Sequence, residues 1–206
     1  SNMNALAIMA ELRGISIPEA GTTRFRAPYK PVALGTLAGR NIGNHYKAKR
    51  VTPMHDWHID HGAEMIEAGI WYRPRVYKKP GETLEEAYVR EATAVRNSVG
   101  IVDVTSLGKI DVQGPDAAEF LNRVYVNPFL KVPVGKARYG VMLREDGYLF
   151  DDGTSWRLSE NQFLMTTTTA NAASVLSELE RLLTLVWPNL KVHVSSVTDQ
   201  WAGMAV

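Results

Sequence analysis

Two adjacent acids, three evenly spaced histidines and a run of four threonines are the residues whose types and spacing invite chemistry. Asp151 and Asp152 follow a Glu145-Asp146-Gly147 turn signal, in a stretch that reads as a strand. Neighbours on a strand point to opposite faces, so Asp152 is expected on the face of Tyr148 and Phe150, with Asp151 on the other. One carboxylate then stands against an aromatic wall, where desolvation and a ligand's N–H groups would set its protonation. On spacing alone the pair reads first as a solvated or turn-capping couple. His55, His58 and His61 recur every third residue; on a helix they cover about a third of the circumference, with Asp56 and Asp60 as further donors for a metal. Trp57 and Ile59 point instead to a half-buried turn with hydrogen-bonding histidines, and the spacing matches no strong metal-ligand signature. Thr166, Thr167, Thr168 and Thr169, ahead of Ala170-Asn171, read as a strand running into a helix N-cap, or as a hydroxyl-bearing edge facing a polar ring. Gly108, Gly114 and Gly135 are isolated, and no phosphate loop or dinucleotide glycine pattern occurs.

The elements that must position these residues follow from periodicity. Residues 82–97 make the clearest helix: Thr83 can cap it, Glu85 and Glu86 suit the positive end of its dipole, and Leu84, Ala87, Tyr88, Glu91 and Val95 keep helical spacing. Gly114-Pro115-Asp116 opens a second helix over 117–124, and 170–183 reads as a third. Strands are expected at 70–77, 99–104, 109–112, 138–143, 148–158, 162–169 and 190–197. Strands and helices mix without strict βαβ alternation, so the expected class is α+β, a mixed or antiparallel sheet with helices. Ser1-Asn2 ahead of Met3 reads as a cloning scar. Residues 3–45 read as an N-terminal arm or interdomain connector, with a short helix at 5–13, then Pro18, Pro28 and Pro31 and three glycines. Phe25, Tyr29, Val32, Leu34 and Leu37 suggest that the arm packs on something. Residues 46–206 read as the domain proper, and the apolar, strand-like 201–206, with no turn after it, reads as a truncation.

Composition sets outer limits. The chain has 206 residues, 45% hydrophobic and 22% charged, with net charge +1; this is an ordinary globular composition that gives no electrostatic reason for nucleic acid or membrane partners. No window approaches the ~18 apolar residues of a membrane span, and no secretory signal is visible. The chain has no cysteine, which excludes disulfides and thiolate metal sites and fits a cytoplasmic location.

Ordered blocks of the sequence resemble a known family. Residues 99–109 (Val-Gly-Ile-Val-Asp-Val-Thr-Ser-Leu-Gly-Lys), 112–121 (Val-Gln-Gly-Pro-Asp-Ala-Ala-Glu-Phe-Leu), 135–142 and the Asp146-Gly147 to Asp151-Asp152 hairpin resemble the glycine-cleavage T-protein family of aminomethyltransferases. Gly69-Ile70-Trp71 and the 90–96 stretch also fit. Where that family usually has an apolar residue after the acid pair, Gly153-Thr154 stands here. This Asp-Asp-Gly-Thr, the 163–171 stretch, the 52–58 stretch and the arm around residues 22–29 resemble the alpha subunits of heterotetrameric sarcosine oxidases.

The resemblance implies the first part of a folate-binding domain. It would pass the one-carbon unit of an oxidised amine, an imine, to tetrahydrofolate, giving 5,10-methylenetetrahydrofolate. It implies folate contacts at Tyr139 and Asp152, with Asp152 the catalytic acid near the pterin nitrogens. Leu107 and Thr168 stand at matching positions with changed residue types. FAD, NAD and FMN would belong to parts of the parent enzyme outside this chain, and beta, gamma and delta subunits would be its partners. The family domain runs beyond Val206, so the isolated chain is expected to lack a complete active site, to be inactive as an oxidase and to present an open groove. A stand-alone aminomethyltransferase and a noncatalytic folate-sensing or assembly module are the competing readings; the arm and Gly153 argue against the former. No metal is implied.

Overall fold

The computed structural model describes residues 2–16, 19 and 50–206, and the chain divides into two units, residues 1–47 and 48–206. The first unit contributes helix α1 (Asn2–Arg13). The apolar residues that suggested a packed arm, from Phe25 to Leu37, lie outside the described residues.

In the second unit the helices are α2 (His55–Asp60), α3 (Leu84–Asn97), α4 (Ala117–Val124) and α5 (Ala172–Arg181). The strands are β1 (Arg50–Val51), β2 (Ala63–Ala68), β3 (Trp71–Tyr77), β4 (Val102–Asp103), β5 (Gly108–Gln113), β6 (Ala137–Leu143), β7 (Leu149–Ser159), β8 (Gln162–Thr167), β9 (His193–Ser196) and β10 (Met204–Ala205). A five-stranded antiparallel sheet runs β6-β7-β8-β5-β9, a three-stranded sheet runs β1-β3-β2, and β4 pairs with β10. The class is the expected α+β.

Alternation explains the five-stranded sheet. Along β8, Phe163, Met165 and Thr167 are buried, whereas Gln162, Leu164 and Thr166 are only half-buried. In β5, Ile110 and Val112 pair with Met165 and Phe163 on the same buried side. The sequence of α4 puts Ala117, Phe120 and Leu121 on one stripe, and α5 does the same with Val175 and Leu179; all five are buried and complete the core. A π-helical turn (Leu182–Val186) follows α5 and delivers Trp187, whose ring meets Phe120 edge-on at 6.1 Å. Fully burying one such side chain stabilises by about 1.5–3 kcal/mol, so these side chains fix α4 and α5 to one face of the sheet.

Local signals explain several boundaries. Thr83 and Glu86 form a reciprocal capping box at the start of α3. Gly147, at φ +83°, closes the β6–β7 hairpin with its N–H on the Arg144 carbonyl at 2.9 Å. Of the apolar positions counted for α3, only Ala87 is buried; Tyr88 and Val95 are exposed. The strand expected at 99–104 is confined to Val102–Asp103, that at 190–197 to His193–Ser196, and β2 was not anticipated. The helix expected to start at Ala170 begins at Ala172, with Asn171 at its N-cap, and no threonine of the run caps it.

Two glycines matter because backbones approach closely. Gly140 and Gly153 face each other across β6 and β7. A Cβ on Gly140 would lie 2.6 Å from the Tyr125 ring, and one on Gly153 would lie 2.0 Å from the Thr166 carbonyl oxygen. The Gly-Thr that follows the acid pair therefore has a steric cause: β8 passes too close for a side chain. Gly153→Ala should destabilise the protein by about 1–3 kcal/mol through overpacking, read as a lower denaturation midpoint at unchanged slope; a variant as stable as the parent would contradict this packing.

Candidate functional site

The acid pair is split across the sheet. Met142 pairs with Asp151 and Val141 with Asp152, so consecutive carboxylates point to opposite faces. Asp151 faces inward and is only 4% exposed. It accepts the Thr168 hydroxyl at 2.6 Å and the Thr168 backbone N–H at 3.1 Å. Two charge-assisted bonds of this kind are what a buried carboxylate needs to offset its desolvation. Asp152 lies on the face away from α4 and α5, half-buried, and accepts the Tyr139 O–H. Tyr139 pairs with Thr154, which makes Tyr139 and Asp152 diagonal neighbours on one face. Tyr139 is 55% exposed and Trp156, two steps further on that face, is 39% exposed.

The aromatic wall expected beside Asp152 is different from the one present. A register shift between Met142 and Leu143 leaves Phe150 as the extra residue of a bulge in β7. Phe150 turns into the core cluster, and Tyr148 is largely exposed with the Arg144 guanidinium over its ring. The ring beside Asp152 belongs to Tyr139, from the neighbouring strand.

The threonines sew strands together instead of capping a helix. Thr166 Oγ1 accepts the Thr154 N–H at 3.0 Å and donates to the Thr154 carbonyl at 3.1 Å, replacing a backbone ladder step where Gly153 and Thr166 meet. Thr169 and Ser106 share a hydroxyl–hydroxyl bond of 3.1 Å. Thr168 is an exposed residue whose hydroxyl is committed to Asp151. Leu107, half-buried, immediately precedes β5; because Gly108 pairs with Thr167, Leu107 and Thr168 leave the sheet at the same end.

The histidines diverge. His58, in α2, is the buried one at 3% exposure, while Trp57 and Ile59 are exposed, the reverse of the half-buried turn expected. Its Nε2 lies 3.0 Å from the Asp103 carboxylate and its Nδ1 2.6 Å from the Tyr77 hydroxyl. Asp103 can only accept, so Nε2 carries the proton toward it. His61 stacks on Trp57 at 3.9 Å with Nδ1 against the Trp57 carbonyl, and His55 lies beside Tyr72. Periodicity marked these histidines but had no means to find Asp103, which is 45 residues from His58 in sequence. Only the Asp-x-Thr spacing of Asp103 and Thr105 hinted at the local turn, in which Asp103 accepts the Thr105 N–H at 2.9 Å.

Burial by itself would raise the pKa of Asp103, but the hydrogen bonds it accepts from His58 and Thr105 outweigh it and hold the carboxyl below the ordinary aspartate range. A carboxyl with a depressed folded pKa adds stability above its unfolded value of about 3.9. That stability is lost as pH falls through the lower folded value. A cavity of about 630 Å³ lies on the helix side of the sheet, lined by Phe150, Met142, Leu182 and Trp187 among others, away from Tyr139 and Asp152. A second, of about 560 Å³, lies between Trp71, Thr105 and Trp201. No described helix is long and apolar enough to cross a membrane.

Known proteins resemble this chain at two levels. The GCVT N-terminal domain model matches residues 54–206, and the sarcosine oxidase A3 domain model matches residues 1–40. A protein named sarcosine oxidase subunit alpha from Rhizobium meliloti is 54% identical over all of this chain, and one of the same name from Corynebacterium sp. (strain U-96) is 50% identical. The chain spans about a fifth of their length, 21% and 22% respectively. An aminomethyltransferase from Thermotoga neapolitana is 34% identical over 75% of this chain and 39% of its own. The crystal structure of the glycine cleavage system aminomethyltransferase T from Bartonella henselae shares the fold, with a TM-score of 0.62 at 24% identity over 72% of this chain and 38% of that one.

The acid side of the titration is a direct check on the His58–Asp103 pair. Asp103→Asn should lower stability at pH 7 and flatten the decline seen in the parent below about pH 4, measured by denaturant unfolding across pH; parallel curves for parent and variant would contradict it. The family model matches residues 54–206, and the chain belongs to the GCVT N-terminal domain family.

Proposed function

We propose that the chain is part of the alpha subunit of a sarcosine oxidase and that its Tyr139–Asp152 face receives tetrahydrofolate. The observation that carries this reading is the Tyr139 O–H on the Asp152 carboxylate, on a partly exposed face of the sheet. The donor set suits a reduced pterin. Its ring has a flat apolar surface and several N–H groups; Tyr139 and Trp156 offer exposed rings, and Asp152 offers carboxylate oxygens. Leu107 and Thr168, at one end of β5 and β8, are the further contacts that the resemblance implies.

Folate supplies the nucleophilic nitrogens that take up a one-carbon unit at the formaldehyde level. The reaction joins the methylene carbon of the imine to two folate nitrogens and releases the amine as glycine, so two N–H protons pass from the folate to the departing nitrogen. Asp152 orients those N–H groups and carries a proton between them. Tyr139 aligns the carboxylate through its hydroxyl and supports the ring. Asp151, enclosed by Thr168, is structural. The oxidation of the amine, with FAD, NAD and FMN, falls to other parts of the enzyme and to its beta, gamma and delta partners, in the cytoplasm. The names of the relatives that match the whole chain support the oxidase reading over a stand-alone aminomethyltransferase or a noncatalytic folate-sensing module.

The test uses the full-length protein with sarcosine and tetrahydrofolate. Asp152→Asn should leave sarcosine oxidation unchanged and cut 5,10-methylenetetrahydrofolate formation by roughly 10²–10⁴-fold, the range for a lost general acid–base group. The imine then hydrolyses, so formaldehyde should rise correspondingly. Tyr139→Phe should shift the partition in the same direction by less. An unchanged ratio of methylenetetrahydrofolate to formaldehyde in Asp152→Asn would refute the assignment.

A further inference from the structure

Lys109 is a buried ammonium that the proposed chemistry does not use. It is 5% exposed, on the strand that begins where Leu107 ends. Among the described residues no carboxylate pairs with it; Asp103 and Asp199 act on it only through space, and desolvation pushes its pKa down against their pull. A buried charge without an ion-pair partner is costly, and an apolar side chain of the same length would fill the space more cheaply. What the ammonium does instead is donate to two carbonyls: that of Thr105 at 2.5 Å and that of Leu107 at 3.0 Å.

Both acceptors belong to residues 104–107, a turn restrained at nearly every polar group. The Leu107 N–H reaches the Val104 carbonyl at 3.0 Å, and the Val104 N–H reaches Gly203 at 2.9 Å. Asp103, itself held by His58, accepts the Thr105 N–H. The Gly203 N–H donates to Thr105 Oγ1 at 3.1 Å, and Ser106 bonds Thr169, next to Thr168. The side chain this arrangement presents at the end of the sheet is Leu107, and it is only half-buried. The Lys109 ammonium closes the turn by joining its second and fourth residues, a span that no backbone hydrogen bond of the turn covers.

We propose that Lys109 is a positioning residue: by holding the Thr105 and Leu107 carbonyls together it sets where Leu107 stands against the bound folate. The proposal rests on the folate reading of the Tyr139–Asp152 face. It gives the buried ammonium a task that an apolar residue of the same size could not perform.

The experiment is a double-mutant cycle on the affinity of the full-length protein for 5-formyltetrahydrofolate, together with amide hydrogen exchange of residues 104–108 in the ligand-free protein. Lys109→Met should speed exchange at Leu107 and weaken binding by roughly tenfold, since small misplacements of a contact are costly. Leu107→Ala should weaken binding to a similar extent. If Lys109 acts through Leu107, the double variant should bind about as the worse single variant does. Val175→Ala, remote on α5, serves as a control that lowers stability without changing affinity. Additive losses, or an unchanged affinity in Lys109→Met, would overturn the positioning role. If Lys109→Met does not fold, Lys109→Leu, which likewise has no donor, is read in the same way. A parent protein that does not bind the ligand would instead overturn the folate reading, and the exchange data would then decide the turn-holding half alone: unchanged exchange in Lys109→Met refutes that half.

Discussion

The contact on which the site depends is the one between buried Asp151 and Thr168. Strand alternation makes the two acids of the pair face opposite ways, and the choice of which one turns inward is set by the donors waiting for it. Thr168 provides both a hydroxyl and an N–H on the inner side. A carboxylate without such partners could not be buried at tolerable cost. With Asp151 committed, Asp152 is left on the outer face beside Tyr139. The same bond ties β7 to the end of β8 just where Gly153 and Thr166 interrupt their regular ladder. A one-residue slip in β7 would exchange the two acids and leave a charge unpaired in the core.

The five-stranded sheet is therefore asymmetric in use. Its inner face is filled by Phe120, Leu121, Val175 and Leu179 from α4 and α5. Its outer face carries Tyr139, Asp152, Thr154 and Trp156 and keeps them partly accessible. The cavity on the helix side has an apolar floor, but its arginines already have acidic partners: Arg123 with Glu119, Arg144 with Asp146, Arg181 with Glu178. The solved aminomethyltransferase from Bartonella henselae shares the fold at a level of identity that supports architecture alone.

Much of this was legible in the sequence wherever the determinant is local. The capping box of α3, the amphipathic stripe of α4, the Gly147 turn and the opposed acids all rest on residues within a few positions of one another. What escaped was non-local. The bulge that turns Phe150 into the core depends on how β6 meets β7. The threonine run looked like a helix cap because threonine suits one, but its hydroxyls serve Asp151, Thr154 and Ser106, which lie on other elements. His58 was marked by spacing, yet its role comes from Asp103 and Tyr77. The folate assignment came from resemblance and not from periodicity: an acid beside a tyrosine is compatible with many ligands, and Leu107 and Thr168 carry no chemical signature of their own.

The central claim is that the outer face of the sheet, at Tyr139 and Asp152, is where folate sits. The most direct measurement is a crystal structure of the full-length protein with bound 5-formyltetrahydrofolate. The account predicts the pterin ring on the outer face, with a ring nitrogen within hydrogen-bonding distance of an Asp152 carboxylate oxygen, the Tyr139 ring in contact, and Asp151 still bonded to Thr168. A ligand seated in the helix-side cavity near Phe150 and Trp187, or one whose polar contacts fall on Asp151 while Asp152 points to solvent, would contradict it.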